Sequence, residues 1–144
     1  MAHSDAGRYA AKHTPGRKPD ETLADAVRSK ETERELTCAD AERISLEHGA
    51  AMAEVGRTLD LLEVRISRCQ LGLFGYAADG KTVRPDNMVT PELEKTIRSR
   101  LSDGRLPCTA AWEIAAEENI PRMKISSACE ALKIKIKPCQ LGAF

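Results

Sequence analysis

The chain contains an internal repeat. Residues 23–74 and 93–144 align at a constant offset of 70 positions, without a gap. The clearest match is the segment 69–74, with the sequence Cys-Gln-Leu-Gly-Leu-Phe, which returns at 139–144 as Cys-Gln-Leu-Gly-Ala-Phe. The alignment predicts a tandem duplication of one small unit.

Composition marks the boundaries of the two copies. Residues 1–20 contain Gly, Pro, Ser and charged side chains without an apolar run, so we expect a flexible N-terminal tail and neither a secretory signal nor a membrane span. The first repeat is predicted at 21–74, a linker at 75–90 and the second repeat at 91–144. The 22 basic and 22 acidic residues fit an ordinary soluble protein, and the lack of a signal or membrane span predicts a cytoplasmic protein with no membrane partner.

Both copies predict the same order of elements. A first helix covers about 21–31 and 91–101, and a short extended piece then leads into a second helix that begins near Cys38 and Cys108. This helix ends at Gly49 and Asn119, since Gly and Asn tolerate the left-handed backbone of a helix-ending turn. A third amphipathic helix and a short alternating strand follow. The predicted fold class is mainly α with minor β.

The second and third helices resemble those of the helix-turn-helix family and, more loosely, of its winged-helix branch. A small residue lies in the second helix, Gly or Asn follows four positions later, and an aliphatic residue follows six positions after that. The residues that carry the resemblance are Ser45, Gly49 and Val55 in the first copy and Ala115, Asn119 and Ile125 in the second. The resemblance implies two tandem units and a small transcription regulator whose third helix enters the major groove of double-stranded DNA.

The second copy is the better candidate for contact with DNA, because residues 91–144 carry a net charge of +2 and residues 21–74 carry −4. Basic side chains would meet phosphates and two serines would lie near base edges. The predicted DNA-binding residues are Arg122, Lys124, Ser126, Ser127, Lys133, Lys135 and Lys137. The alternative is that this basic face is only a solvated helix surface.

Four cysteines recur between the copies, with Cys38 and Cys69 matching Cys108 and Cys139. If the extended piece pairs with the final strand, the two thiols of each copy come close together. Four thiolates would suit zinc or an iron–sulfur cluster. No Cys-x-x-Cys spacing is present, which favours buried apolar roles for these cysteines and no cofactor. Cys129 aligns with Leu59 and is expected in the core.

The remaining motifs predict contacts rather than catalysis. Trp112 is expected on the surface of its own unit, where it would anchor a homodimer or another protein partner. We expect buried core positions for Leu71 and Phe74 and, in the second copy, for Leu141 and Phe144. The histidines are scattered and a glycine-rich phosphate loop is lacking, so we expect no enzyme. The alternative function is a protein-interaction module, or a metal- or redox-responsive one, built on the same duplicated fold.

Overall fold

The computed structural model describes residues 8–13, 16, 18–76 and 81–144. In these ranges the chain forms six α-helices and one two-stranded sheet, which confirms a mainly helical fold with minor β. None of the described helices is long and apolar enough to cross a lipid bilayer. The elements are α1 (Glu21–Lys30), β1 (Glu35–Thr37), α2 (Cys38–His48), α3 (Met52–Leu61), β2 (Arg65–Ser67), α4 (Pro91–Ser99), α5 (Cys108–Glu118) and α6 (Arg122–Leu132).

The chain divides into two compact units. Unit 1 comprises Met1–Cys69 together with Gln140–Phe144, and unit 2 comprises Gln70–Cys139. Unit 1 contains α1 to α3, and unit 2 contains α4 to α6. Corresponding helices begin 70 positions apart in all three cases. The predicted tail and linker lie partly outside the described residues.

Unit 1 is a three-helix core joined to a small parallel sheet. The carboxylate of Asp20 accepts a hydrogen bond from the Leu23 amide at 3.0 Å, which satisfies a free N–H at the start of α1. Helix α2 ends at Gly49 with φ of 60°, as predicted. Strands β1 and β2 place Leu36 opposite Ile66. The buried apolar side chains include Leu23, Val27, Leu36, Ala41, Ile44, Val55, Leu59 and Ile66.

Unit 2 repeats this plan with a shorter strand pairing. Leu106 and Ile136 form a parallel bridge, in which the Leu106 amide donates to the Lys135 carbonyl at 2.9 Å. Helix α5 ends at Asn119 with φ of 54°, which confirms the second predicted helix end. The Cys129 side chain lies in the core, as expected, and burial raises the pKa of its thiol to about 12.

The described part of the N-terminal segment packs on unit 1. Tyr9–Lys12 forms a 3₁₀ turn in which Tyr9 is buried. The amides of Tyr9 and Ala10 donate to the Glu63 carboxylate at 2.8 and 2.7 Å. Lys12 and His13 contact the Asp60 carboxylate at 3.2 and 2.8 Å. This segment therefore lies against the C-terminal end of α3.

Candidate nucleic-acid interface

Helix α6, the predicted DNA-reading helix, begins after Pro121 and is closed by Lys133 in the left-handed conformation. Its inner face carries Ile125, Ala128 and Cys129, all of which are buried in unit 2. The side chains on its other faces determine whether the helix can enter a DNA groove. Several of these side chains form two sets of contacts within unit 2.

The first set holds Arg122. Its guanidinium lies over the indole ring of Trp112, 3.7 Å from the ring centroid, and donates to the side-chain carbonyl of Gln70 at 2.9 Å. Trp112 is half-buried, and its indole N–H has no hydrogen-bond partner among the described residues. The stacked pair connects α5 to the start of α6, so both side chains are occupied within the unit.

The second set comes from residues 81–88, which lie along α6 and are called the strap here. The Asp86 amide donates to the Ser127 carbonyl at 3.0 Å, and the Ser127 hydroxyl donates to the Arg84 carbonyl. The Lys124 ammonium lies 2.9 Å from the Asp86 carboxylate and holds the pKa of that carboxyl below its ordinary value. The strap thus engages Lys124 and Ser127, although the Lys124 side chain stays exposed.

Further contacts fix the other end of the strap. Lys81 pairs with Glu130 of α6 at 2.6 Å. The amides of Thr82 and Val83 both donate to the Gly72 carbonyl, at 2.9 and 3.1 Å. Val83 is buried. The strap is therefore an ordered part of unit 2.

Ser126 departs from the sequence prediction. It was expected on the exposed face near base edges, but its side chain is fully buried. Its hydroxyl has no hydrogen-bond partner in the described part of the chain. The position 70 residues earlier is Gly56, which is also buried. A small residue at the same place in both copies is the signal that could have predicted close packing.

The strand region keeps the rest of the predicted surface exposed. Lys135 and Lys137 flank the buried Ile136 and therefore point outward, because successive side chains of a strand alternate. Arg105 precedes Leu106, the partner of Ile136, and is exposed beside Lys135. We name Arg105, Lys133, Lys135 and Lys137 the basic strand surface.

None of these four side chains forms an ion pair or a hydrogen bond with another described residue, and each is exposed. Asp103, two positions before Arg105, is an exposed acidic residue near one end of the surface. Arg105 was not among the predicted DNA-binding residues. Its place in the extended piece, next to the final strand if the two segments pair, could have identified it.

Unit 1 presents a different surface at the corresponding positions. Glu35 is paired in register with Arg65, so the strand pair carries opposite charges there. Glu63 accepts the amides of Tyr9 and Ala10, and Ser67 replaces a lysine. At these four positions, therefore, the described residues of unit 2 carry unpaired cations and those of unit 1 do not.

The repeated cysteines lie two in each unit. Cys38, Cys69 and Cys108 are buried, Cys139 is half-buried, and none of them forms a disulfide. The Cys108 amide donates to the Pro138 carbonyl at 3.1 Å, which brings the two segments of the unit 2 pair together. Among the described residues, no group of three or more His, Cys, Asp or Glu side chains is placed to hold a metal ion.

Comparisons of this chain with family models, with curated proteins and with solved structures found no match.

Proposed function

We propose that this chain is a small regulatory protein that binds double-stranded DNA through the basic strand surface of unit 2. The observation that carries the proposal is the group of four exposed cations, Arg105, Lys133, Lys135 and Lys137, which have no acidic partner among the described residues. Uncompensated cations on one side of a small unit are the arrangement that phosphate contact requires.

The geometry favours contact with the DNA backbone. Lys135 and Lys137 lie on the same side of an extended segment, so their Cα atoms are separated by roughly 6.6 Å. Flexible lysine stems can reach neighbouring phosphates from such positions, and each contact releases condensed counterions. The buried Ser126 offers no base contact in this arrangement, and the proposed binding therefore has low sequence selectivity.

The α6 residues have a supporting role in this proposal. Arg122 is held by Trp112 and Gln70, while Lys124 and Ser127 hold the strap. These contacts fix the position of α6, which leads directly into Lys133 and the basic strand surface. Arg122 and Lys124 thus position the surface without forming part of it.

We also propose that the two units arose by tandem duplication and diverged in charge, and that the protein acts in the cytoplasm. The ungapped repeat and the three pairs of helices that begin 70 positions apart support a duplication. The helix-turn-helix resemblance supports a regulatory role for the pair. Unit 1, with its acidic balance, is assigned to support or sensing rather than to phosphate contact.

Fluorescence anisotropy with labelled duplex DNA tests the proposed surface. The full chain is compared with Lys135→Glu/Lys137→Glu and with the control Lys18→Glu/Lys95→Glu. The control changes the net charge by the same amount at two exposed lysines that have no partner among the described residues.

We expect Lys135→Glu/Lys137→Glu to lose at least about tenfold in DNA affinity, while Lys18→Glu/Lys95→Glu stays within about threefold of wild type. Equal losses in both variants would indicate a general charge effect and would contradict the assigned surface. An absence of binding at low salt by the folded wild-type chain would contradict DNA binding itself.

A further inference from the structure

In each unit the third helix packs against a Gln-Leu-Gly segment. This segment follows the final strand of the other repeat. Gln140–Phe144 follows the second repeat's final strand and belongs to unit 1. Residues 70–74 follow β2 of the first repeat and belong to unit 2. The two segments differ at a single position, Leu73 against Ala143. Each unit therefore contains the segment that follows the strand of the other repeat, and these two segments are called the tails of the repeats.

In unit 1 the tail lies directly on α3. A Cβ atom added at Gly56 would lie 2.7 Å from the carbonyl carbon of Leu141 and 2.9 Å from its Cα, closer than such atoms are found. The Leu141 side chain is buried, and the Lys12 ammonium donates to the Gly142 carbonyl at 3.2 Å. We name this place, formed by Gly56 of α3 and Lys12 of the N-terminal segment, the tail seat. It accepts the tail because Gly56 has no side chain.

Unit 2 recognises the same sequence with equivalent elements. The Gly72 carbonyl accepts the amides of Thr82 and Val83 from the strap, and a Cβ atom at Gly72 would lie 3.1 Å from Met123 on α6. The Gln70 side-chain carbonyl accepts a hydrogen bond from Arg122 at the start of α6. The third helix and the segment before the first helix hold the tail in both units. In both units the leucine of the segment, Leu71 or Leu141, is buried and the following glycine carbonyl accepts a hydrogen bond, so the Leu-Gly part is held in both.

We infer that the tail seat of unit 1 also accepts this segment from a second copy of the chain. A second copy carries the same Gln140–Phe144 segment, and exchange of an identical element preserves every seat contact. In one chain the internal tail has a high effective concentration and fills the seat first. When the internal tail cannot insert, the tail of a second copy takes its place, and the two chains form a tail-exchanged dimer.

Complementation between two full-length variants tests this inference. Gly56→Val blocks the seat and leaves the tail intact, whereas Leu141→Asp leaves the seat intact and prevents its own tail from inserting. When the two variants are mixed, the intact tail of Gly56→Val can occupy the open seat of Leu141→Asp. Ala53→Val on the exposed side of α3 and Leu46→Asp at an exposed leucine are matched controls that alter neither partner of the contact.

Native mass spectrometry, with one variant isotopically labelled, measures the 1:1 heterodimer. The expected result is a heterodimer signal about tenfold above that of either variant alone, with no such rise in the mixed controls. Absence of the heterodimer, when circular dichroism shows both variants folded, overturns the inference.

A second measurement covers the case in which Gly56→Val does not fold. A labelled peptide of residues 138–144 is titrated into full-length Leu141→Asp and into wild type. Saturable binding to Leu141→Asp, with binding to wild type weaker by about tenfold because its seat is filled, supports the inference. No binding to Leu141→Asp, or equal binding of a peptide that carries the same Leu141→Asp change, overturns it.

Discussion

The guanidinium of Arg122 lies 3.7 Å from the centroid of the Trp112 indole ring. Arg122 also donates to Gln70 at 2.9 Å, so one side chain connects α5, α6 and the start of unit 2. The sequence pattern placed both Arg122 and Trp112 on free surfaces. Their contact indicates instead that Arg122 stabilises unit 2, and this changes what its substitution should do.

Arg122→Ala should lower the free energy of unfolding by about 1–2 kcal/mol, since it removes a partly desolvated cation–π contact and a hydrogen bond. Trp112 is the single tryptophan of the chain, so its fluorescence in a denaturant titration follows unit 2 directly. The exposed Lys133→Ala should stay within about 0.5 kcal/mol of wild type. Equal stability of the two variants would argue against a structural role for Arg122.

Ser126 and Ser127 are adjacent, yet their substitutions should have opposite effects. Ser126→Ala removes a buried hydroxyl with no described partner and should raise the free energy of unfolding by up to about 1 kcal/mol. Ser127→Ala removes the hydrogen bond to the Arg84 carbonyl and should lower it by about 1 kcal/mol. Chemical denaturation measures both. A destabilised Ser126→Ala variant would show that the hydroxyl has a partner in solution.

Asp60 should make unit 1 less stable as pH rises. Burial raises its pKa above 3.8, although His13 and Lys12 partly oppose that shift. The folded state therefore binds the Asp60 proton more tightly than the unfolded state does. The favourable contribution is complete below pH 3.8 and is lost as pH rises through the folded-state pKa.

The test is the unfolding free energy of wild type minus that of Asp60→Asn, measured from below pH 3.8 upward through the folded-state pKa of Asp60. This difference should fall as pH rises. A difference that grows with pH would mean that the contacts with Lys12 and His13 outweigh the cost of burial, and the predicted sign would be wrong.

The cysteines should differ in their reaction with iodoacetamide. The thiolate is the reactive form, and burial raises the pKa of Cys129 to about 12, so this thiol should react only when unit 2 opens. Cys139 is half-buried and should be modified earlier. Timed alkylation followed by peptide mass spectrometry gives the order. Modification of Cys129 as fast as Cys139 in the folded protein would contradict the buried position.

Local rules predicted the helices well. Gly49 and Asn119 end α2 and α5 because each adopts the left-handed conformation that few other residues tolerate. The extended piece pairs with the final strand in both units, as β1 with β2 and through the bridge between Leu106 and Ile136, which was the condition for the repeated cysteines to approach each other. Periodicity and backbone preference are properties of short segments, so one sequence is enough to show them.

Contacts between distant segments could not be predicted in the same way. The strap has no apolar periodicity, and its path over α6 depends on single contacts such as Asp86 with Lys124. The burial of Ser126 depends on close packing that a helical pattern does not specify. Of the predicted DNA-binding residues, Lys133, Lys135 and Lys137 are exposed without a described partner, whereas those on α6 are engaged or buried.

The salt dependence of DNA affinity measures how many phosphates the basic strand surface contacts. For a surface that places four cations on phosphates, the logarithm of the binding constant should fall against the logarithm of salt concentration with a slope of about −3.6. Lys135→Ala and Lys137→Ala should each reduce the magnitude of that slope by about 1, while Lys95→Ala should leave it unchanged. A slope that is the same in all four proteins, or affinity that does not depend on salt, would contradict phosphate binding by the basic strand surface.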